Sequence, residues 1–494
     1  MIKQITSKVE LNKFLSLSDL AYHKFCVSIV NDLTKDLSIN KLENISLNVG
    51  INSKFKLLNR IIIISKLFLI FIKTHIQYTL FVLLFCIRNK TNNQINNRFF
   101  DDIKYIFISP LNNRNLGLIF KLFHEDSLHI YLPSSSFSFL LKINQKNNNI
   151  NSNEFVMNPA IPSVRVLLKI LKYIIYKGIF IQDAIDNLRG DKKYLNFHRR
   201  IYLVLVRHEW AKNVVKKIKK NIPNAIVILE NDFGGNKLAL VEEMNNNNIK
   251  NIHVQHGTYF LDNIEFIPPL AKFMFCCSER ERKIQIQNGY SPENLFVYGQ
   301  SFQTIKDSSM YSNNISSEFD IVILGSRGSK WRQEGFLELL SILNKRPYKD
   351  LKIRLRHDPA INEAHKKYWE NAIPNAVISQ NNTLFRDIQF GKIIITFSAD
   401  AMITCLRQHK KTIYCTIYNE KNHLIYNFLK NKSFLRFADT QEELKKAINF
   451  FLAIEDENFV NMINDEFIDY NFGISDMNKI KFNFSSALNQ IYNR

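Results

Sequence analysis

Short runs of β-branched and aliphatic residues recur along this chain, each ending in polar or glycine residues and followed by a helix-like stretch. In the first half they are KYIFISP, LHIYLP, NAIVILEND and NIHVQHG; in the second they are FDIVILGS, LKIRLRHDP, NAVIS and KIIITFS. Continuous apolar runs of this length belong to strands covered on both faces, and alternation with helices demands crossover connections. Parallel sheets are the result. The runs fall into two sets, separated by a linker-like stretch from Val297 to Asp320. The expected fold class is therefore α/β, with two Rossmann-like domains over residues 101–300 and 318–494, preceded by an extension over residues 1–100. A chain of 494 residues exceeds what one hydrophobic core serves.

Ligands of open α/β sheets bind beyond the carboxyl ends of the strands. Applied to the first set, that rule selects Asp232 in ENDFGGNK and Gln255, His256 and Gly257 in VQHGTY. Applied to the second, it selects Gly325, Ser326, Arg327 and Gly328 in GSRGSK, Arg356 and His357 in RLRHDP, and Ser398 in TFSADA.

The two groups differ in chemistry. His256 and Asp232 are each able to take a proton from an attacking hydroxyl, with Gln255 and Gly257 beside them on the acceptor side. The second group offers glycines, hydroxyls and cationic side chains. With backbone N–H groups at a helix start, these suit a phosphate without a metal. No D-x-D stands at a strand end, so the expected site has no metal and no cofactor beyond a nucleotide-linked substrate. Each residue also has a plainer role open to it. His256 fits a buried histidine and His357 a surface one, Asp232 and Ser398 fit helix caps, and Gly325 to Gly328 fits a simple strand-to-helix turn.

Two segments are both basic and apolar. RIIIISKLFLIFIKTHIQYTLFVLLFCIR, from Arg60 to Arg88, is interrupted by Lys66 and Lys73 before about 20 apolar residues accumulate, so it reads as one or two helices lying in or dipping into the membrane interface, with a buried core helix and a true span as the alternatives. SVRVLLKILKYIIYKG places Arg165, Lys169 and Lys172 on one helical face. With 66 Lys and Arg against 45 Asp and Glu, a formal charge of +21, an anionic membrane surface is the expected partner. Nucleic acid is disfavoured, because the cations accompany Leu, Ile and Phe rather than forming an exposed patch with stacking aromatics. Six cysteines without C-x-x-C spacing, and no signal peptide at the amino terminus, point to the cytoplasm.

The order of these motifs, QHG, then CCSERERKIQIQNGYSPENLFVYGQS, then GSRG, RHDP and TFS, resembles GT-B glycosyltransferases of bacterial surface polysaccharides. The capsule and teichoic-acid polymerase group and the sialyltransferase-like enzymes are the groups it suggests. The resemblance covers about Ile103 to Arg494. It implies two facing Rossmann-like domains, with His256 or Asp232 as base, His357 with Pro359 on the nucleotide, and Ser398 on the donor phosphate. The pattern departs from the family at Asp358, between His and Pro, and at Ala399, where a second hydroxyl is expected.

What the resemblance implies in function is inverting, metal-independent transfer of a sugar from a nucleotide donor to a lipid-linked, lipopolysaccharide or capsule acceptor at the cytoplasmic face of the inner membrane. The sugar would include a CMP-activated acid such as sialic acid or Kdo. The alternatives are a CDP-glycerol-type polyol-phosphate transferase and a nucleotide-sugar epimerase.

Overall fold

The computed structural model describes residues 64–80 except 66 and 78, then 103–110, 126–132, 154–156, 164–174, 197–229, 235–255, 271–299 except 288, 317–325, 330–357, 363–380, 383–417, 427–429 and 432–494. Two sheets organise them.

The first has seven strands: β1 (Tyr105–Pro110), β2 (Ser127–Leu132), β3 (Glu154–Val156), β4 (Ile226–Leu229), β5 (Asn251–Val254), β6 (Phe273–Cys276) and β7 (Leu295–Val297), in the order β3-β2-β1-β4-β5-β6-β7. The second has six: β8 (Phe319–Leu324), β9 (Ile353–Arg356), β10 (Val377–Ile378), β11 (Gly391–Thr396), β12 (Lys411–Cys415) and β13 (Leu435–Ala438), in the order β10-β9-β8-β11-β12-β13. The pairings β1–β2, β2–β3, β1–β4 and β4–β5 are parallel, as are all five of the second sheet. The α/β class and the parallel sheets are thus as the apolar runs require.

Each order starts in the middle, steps outward, and returns to the other side of its first strand. This is the doubly wound arrangement, in which the reversal leaves a crevice at the carboxyl ends of β1 and β4, and of β8 and β11.

Crossover helices produce the burial that the strands record. In β8, Ile321 and Ile323 join one core with Phe336, Leu339 and Leu343 of α5 (Lys330–Leu343). Val322 and Leu324 join a second core with Ile388, Ala401 and Cys405. Successive side chains of a strand point to opposite faces, so one apolar run supplies both cores.

The helices of the first sheet include α1 (Val164–Tyr173), α2 (Phe197–Asn221) and α3 (Gly235–Asn246), and α4 (Glu279–Gln287) connects β6 to β7. Those after β9 include α6 (Glu363–Ala372), α7 (Leu384–Phe390) and α8 (Ala399–Arg407). The side chain of Thr383 caps α7 by accepting from Arg386 N.

The chain divides into two compact units, Met1–Val254 with Ile267–Met274, and Gln255–Phe266 with Phe275–Arg494. Of the expected amino-terminal extension, the described positions are those between 64 and 80, and they are helical.

Five strands were not among the eight expected. β3 and β7 are three residues long, too short to show a period, and β6 is only FMFC. β12 opens on Lys411 and β13 carries Arg436, polar residues that mask the strand pattern.

Candidate phosphate site at the strand ends

Residues of the second sheet build this site from its own register. Thr396 of β11 lies opposite Leu324 of β8, so Gly325 and the pair Phe397–Ser398 leave neighbouring strands at the same level. Gly325 N donates to Arg356 O at 2.8 Å, extending the β8–β9 ladder by one step. A Cβ on Gly325 would stand 3.0 Å from Arg356 O and 3.3 Å from the Trp369 ring. A side chain here would require Arg356 or Trp369 to give by a few tenths of an ångström.

Ser398 sits in extended backbone at the N-cap of α8, and its side chain makes no capping bond. It is shaped instead by Thr396, whose Oγ1 accepts from Ser398 N at 3.1 Å. The first N–H groups of any α-helix have no intrahelical acceptor. A hydroxyl that does not cap them leaves both available to an anion.

His357 follows β9 directly. Its Nε2 lies 3.1 Å from Glu370 Oε1, and the carboxylate, which can only accept, sets the proton on that nitrogen. The imidazole stacks on Trp369, with centroids 5.9 Å apart and planes at 22°. Trp369 is 1% exposed and packs against Phe336, which in turn meets Phe397. The ring is held by an aromatic floor rather than standing on the surface.

Arg356, expected on the phosphate, uses its guanidinium inside the fold. Its Nη1 donates to Asp387 Oδ2 at 2.5 Å, while Arg354 Nε donates to Oδ1 of the same carboxylate at 2.8 Å. Ser379 Oγ adds a third bond at 2.6 Å. Asp387 is fully buried, and two cations with a hydroxyl supply what a buried carboxylate requires. Reasoning from strand ends misses this partner, since Asp387 lies on α7 and nothing in LFRDIQF signals it.

The side chain of Gln255, expected on the acceptor side, also turns inward. Gln255 is 1% exposed, its Oε1 accepts from Cys277 N at 3.1 Å, and its carbonyl accepts from Tyr298 Oη at 2.7 Å. Burial, with Cys277 alongside, holds the Tyr298 phenol well above its ordinary range, so it stays a donor. Tyr298 and Cys277 thereby hold the strand end from which His256 follows.

His256, Gly257, Asp232, Ser326, Arg327 and Gly328 lie outside the described residues, as does Lys66. Arg165 and Lys172 lie on the backbone of α1, with side chains outside the described set. Lys73 is exposed. Lys169, expected toward anionic headgroups, instead pairs with Glu209 of α2 at 3.3 Å. A half-buried ammonium takes the nearest carboxylate in preference to solvent.

By sequence, no protein-family model and no curated protein matches this chain. By structure, it is similar to a protein of Listeria monocytogenes assigned as UDP-N-acetylglucosamine 2-epimerase, at 11% identity over 79% of this chain and 96% of that one, with a TM-score of 0.49. It is similar to UDP-GlcNAc 2-epimerase from Neisseria meningitidis bound to UDP-GlcNAc, at 10% identity over 78% and 99%, with a TM-score of 0.48. A third similar structure is HepE from Anabaena in complex with UDP and glucose, at 12% identity over 78% and 100%, with a TM-score of 0.46.

Proposed function

We propose that this protein is an enzyme acting on a nucleotide-activated sugar, with the nucleotide phosphates held at the ends of β8 and β11. One observation carries the reading: strand order reverses between β8 and β11, and the two strands end in Gly325 and in Ser398 at a helix start. A crevice at that reversal, floored by backbone N–H groups and a hydroxyl, suits an anion. His357, braced by Glu370 and Trp369, stands at the next strand end, where its bond to Glu370 steadies the chain beside the proposed phosphate position. Asp232 or His256 is the proposed base.

Two reactions draw on such a donor. Isomerisation of the sugar within the nucleotide sugar needs no second substrate and is the simpler reading. Transfer to a lipid-linked acceptor at the cytoplasmic face of the inner membrane, building a surface glycan, is favoured by one feature, the exposed apolar helix faces of the first unit.

The test is to incubate the full chain with UDP-, GDP-, CDP- and CMP-activated sugars and follow the sugar signals by NMR, with and without a polyprenyl-phosphate-linked glycan. Conversion of the nucleotide sugar alone identifies an isomerase, and consumption only with acceptor identifies a transferase. If no nucleotide raises the melting temperature and no sugar is consumed, the proposal fails.

A further inference from the structure

Nine of the fifteen exposed large hydrophobic side chains among the described residues lie on two helices of the first unit. In the helical segment at 64–80 they are Ile64, Phe68, Leu69, Ile72, Ile76 and Leu80; in α1 they are Leu167, Leu168 and Leu171. Each helix already buries one face, through Leu67 and Phe71 in the first and Val166 and Ile170 in the second. A helix at a water-facing surface is polar on its opposite side. Here the opposite side carries Leu69 at 67%, Ile76 at 54% and Leu168 at 60% exposure.

The two helices lie on one face of α2. His75 Nδ1 is 2.8 Å from Tyr202 Oη, and Lys169 Nζ is 3.3 Å from Glu209 Oε2. Tyr202 and Glu209 are seven residues apart, about two turns, and so share a side of α2. The outward sides of the two helices therefore both face away from that side of α2, and both are apolar. The same side of α2 continues at the next two-turn step to Lys216 and then Lys220, both exposed, and Lys73 is exposed on the apolar segment itself. An apolar field edged by lysines matches the acyl boundary and headgroups of an anionic bilayer.

We infer that this face is a monotopic membrane-docking surface, on which the segment at 64–80 and α1 lie in the bilayer interface while Lys73, Lys216 and Lys220 meet anionic headgroups. Among the described residues no helix is long and apolar enough to cross a membrane. The surface stands independently of the reaction proposed above.

The test is flotation of the full chain with phosphatidylcholine vesicles containing one-quarter phosphatidylglycerol, beside pure phosphatidylcholine. Wild-type protein floats with the anionic vesicles. The triple variant L69Q/I76Q/L168Q, which changes only exposed positions and keeps helix-favouring residues, melts at the same temperature and partitions at least about tenfold less. K216E/K220E loses about tenfold on anionic vesicles and nothing on neutral ones. Equal flotation of the triple variant, equal binding of wild type to neutral vesicles, or a wild-type dimer in light scattering that the triple variant abolishes while neither floats, overturns the inference.

Discussion

Arg356 Nη1 donates to Asp387 Oδ2 across 2.5 Å, so the cation that ends β9 neutralises a fully buried carboxylate on α7. Arg354 grips the other oxygen at 2.8 Å. Removing the carboxylate leaves two largely buried guanidinium groups uncompensated. Asp387→Ala should cost about 3–5 kcal/mol of folding free energy, read as a fall in the urea midpoint. Asp387→Asn, which keeps the volume, should lose less. An unchanged midpoint in the alanine variant would mean the network is ornamental.

Ser398 separates capping from binding. Its side chain makes no capping bond, so Ser398→Ala should change stability by less than about 0.5 kcal/mol, below the usual loss of a cap. Affinity for a nucleoside diphosphate, measured by calorimetry, should fall about tenfold, the loss of one hydrogen bond to a charged group. A large stability loss with affinity intact would reverse that assignment.

At Gly325 a side chain would meet its neighbours at short range. Gly325→Ala places a methyl 3.0 Å from Arg356 O and 3.3 Å from Trp369. Overpacking of this kind costs about 1–3 kcal/mol. The backbone shift it forces should also weaken nucleotide binding, and a thermal melt with and without UDP reads both effects.

His208 is a source of acid sensitivity in the first unit. Burial, aided by Lys212 and Lys169, lowers its pKa to about 4. An unfolded chain takes up this proton below its ordinary value of 6.5, whereas the folded one does so only near 4. The stabilisation is therefore complete above pH 6.5, declines as pH falls through that window, and is gone below about 4. The full loss is on the order of 3 kcal/mol. His208→Gln should flatten the stability profile between pH 6.5 and 4 relative to wild type. Parallel profiles for the two proteins would assign the acid sensitivity elsewhere.

The sequence by itself determined the α/β class and eight of the strands, because a strand covered on both faces must be apolar along its length. It also located Gly325, His357 and Ser398 at strand ends, since that position depends only on where an apolar run stops. Tertiary structure decided what those residues touch. Whether an arginine after a strand meets solvent or a buried carboxylate depends on a helix some thirty residues away, as Arg356 and Asp387 show. The same holds for Gln255, turned inward by Cys277 and Tyr298, and for Lys169, drawn to Glu209. A side chain's partner is set by which elements pack together, and the local sequence does not carry that information. The apolar helices divide in the same way: their hydrophobicity is legible in the chain, but which leucines remain outside was settled only when α2 covered the others.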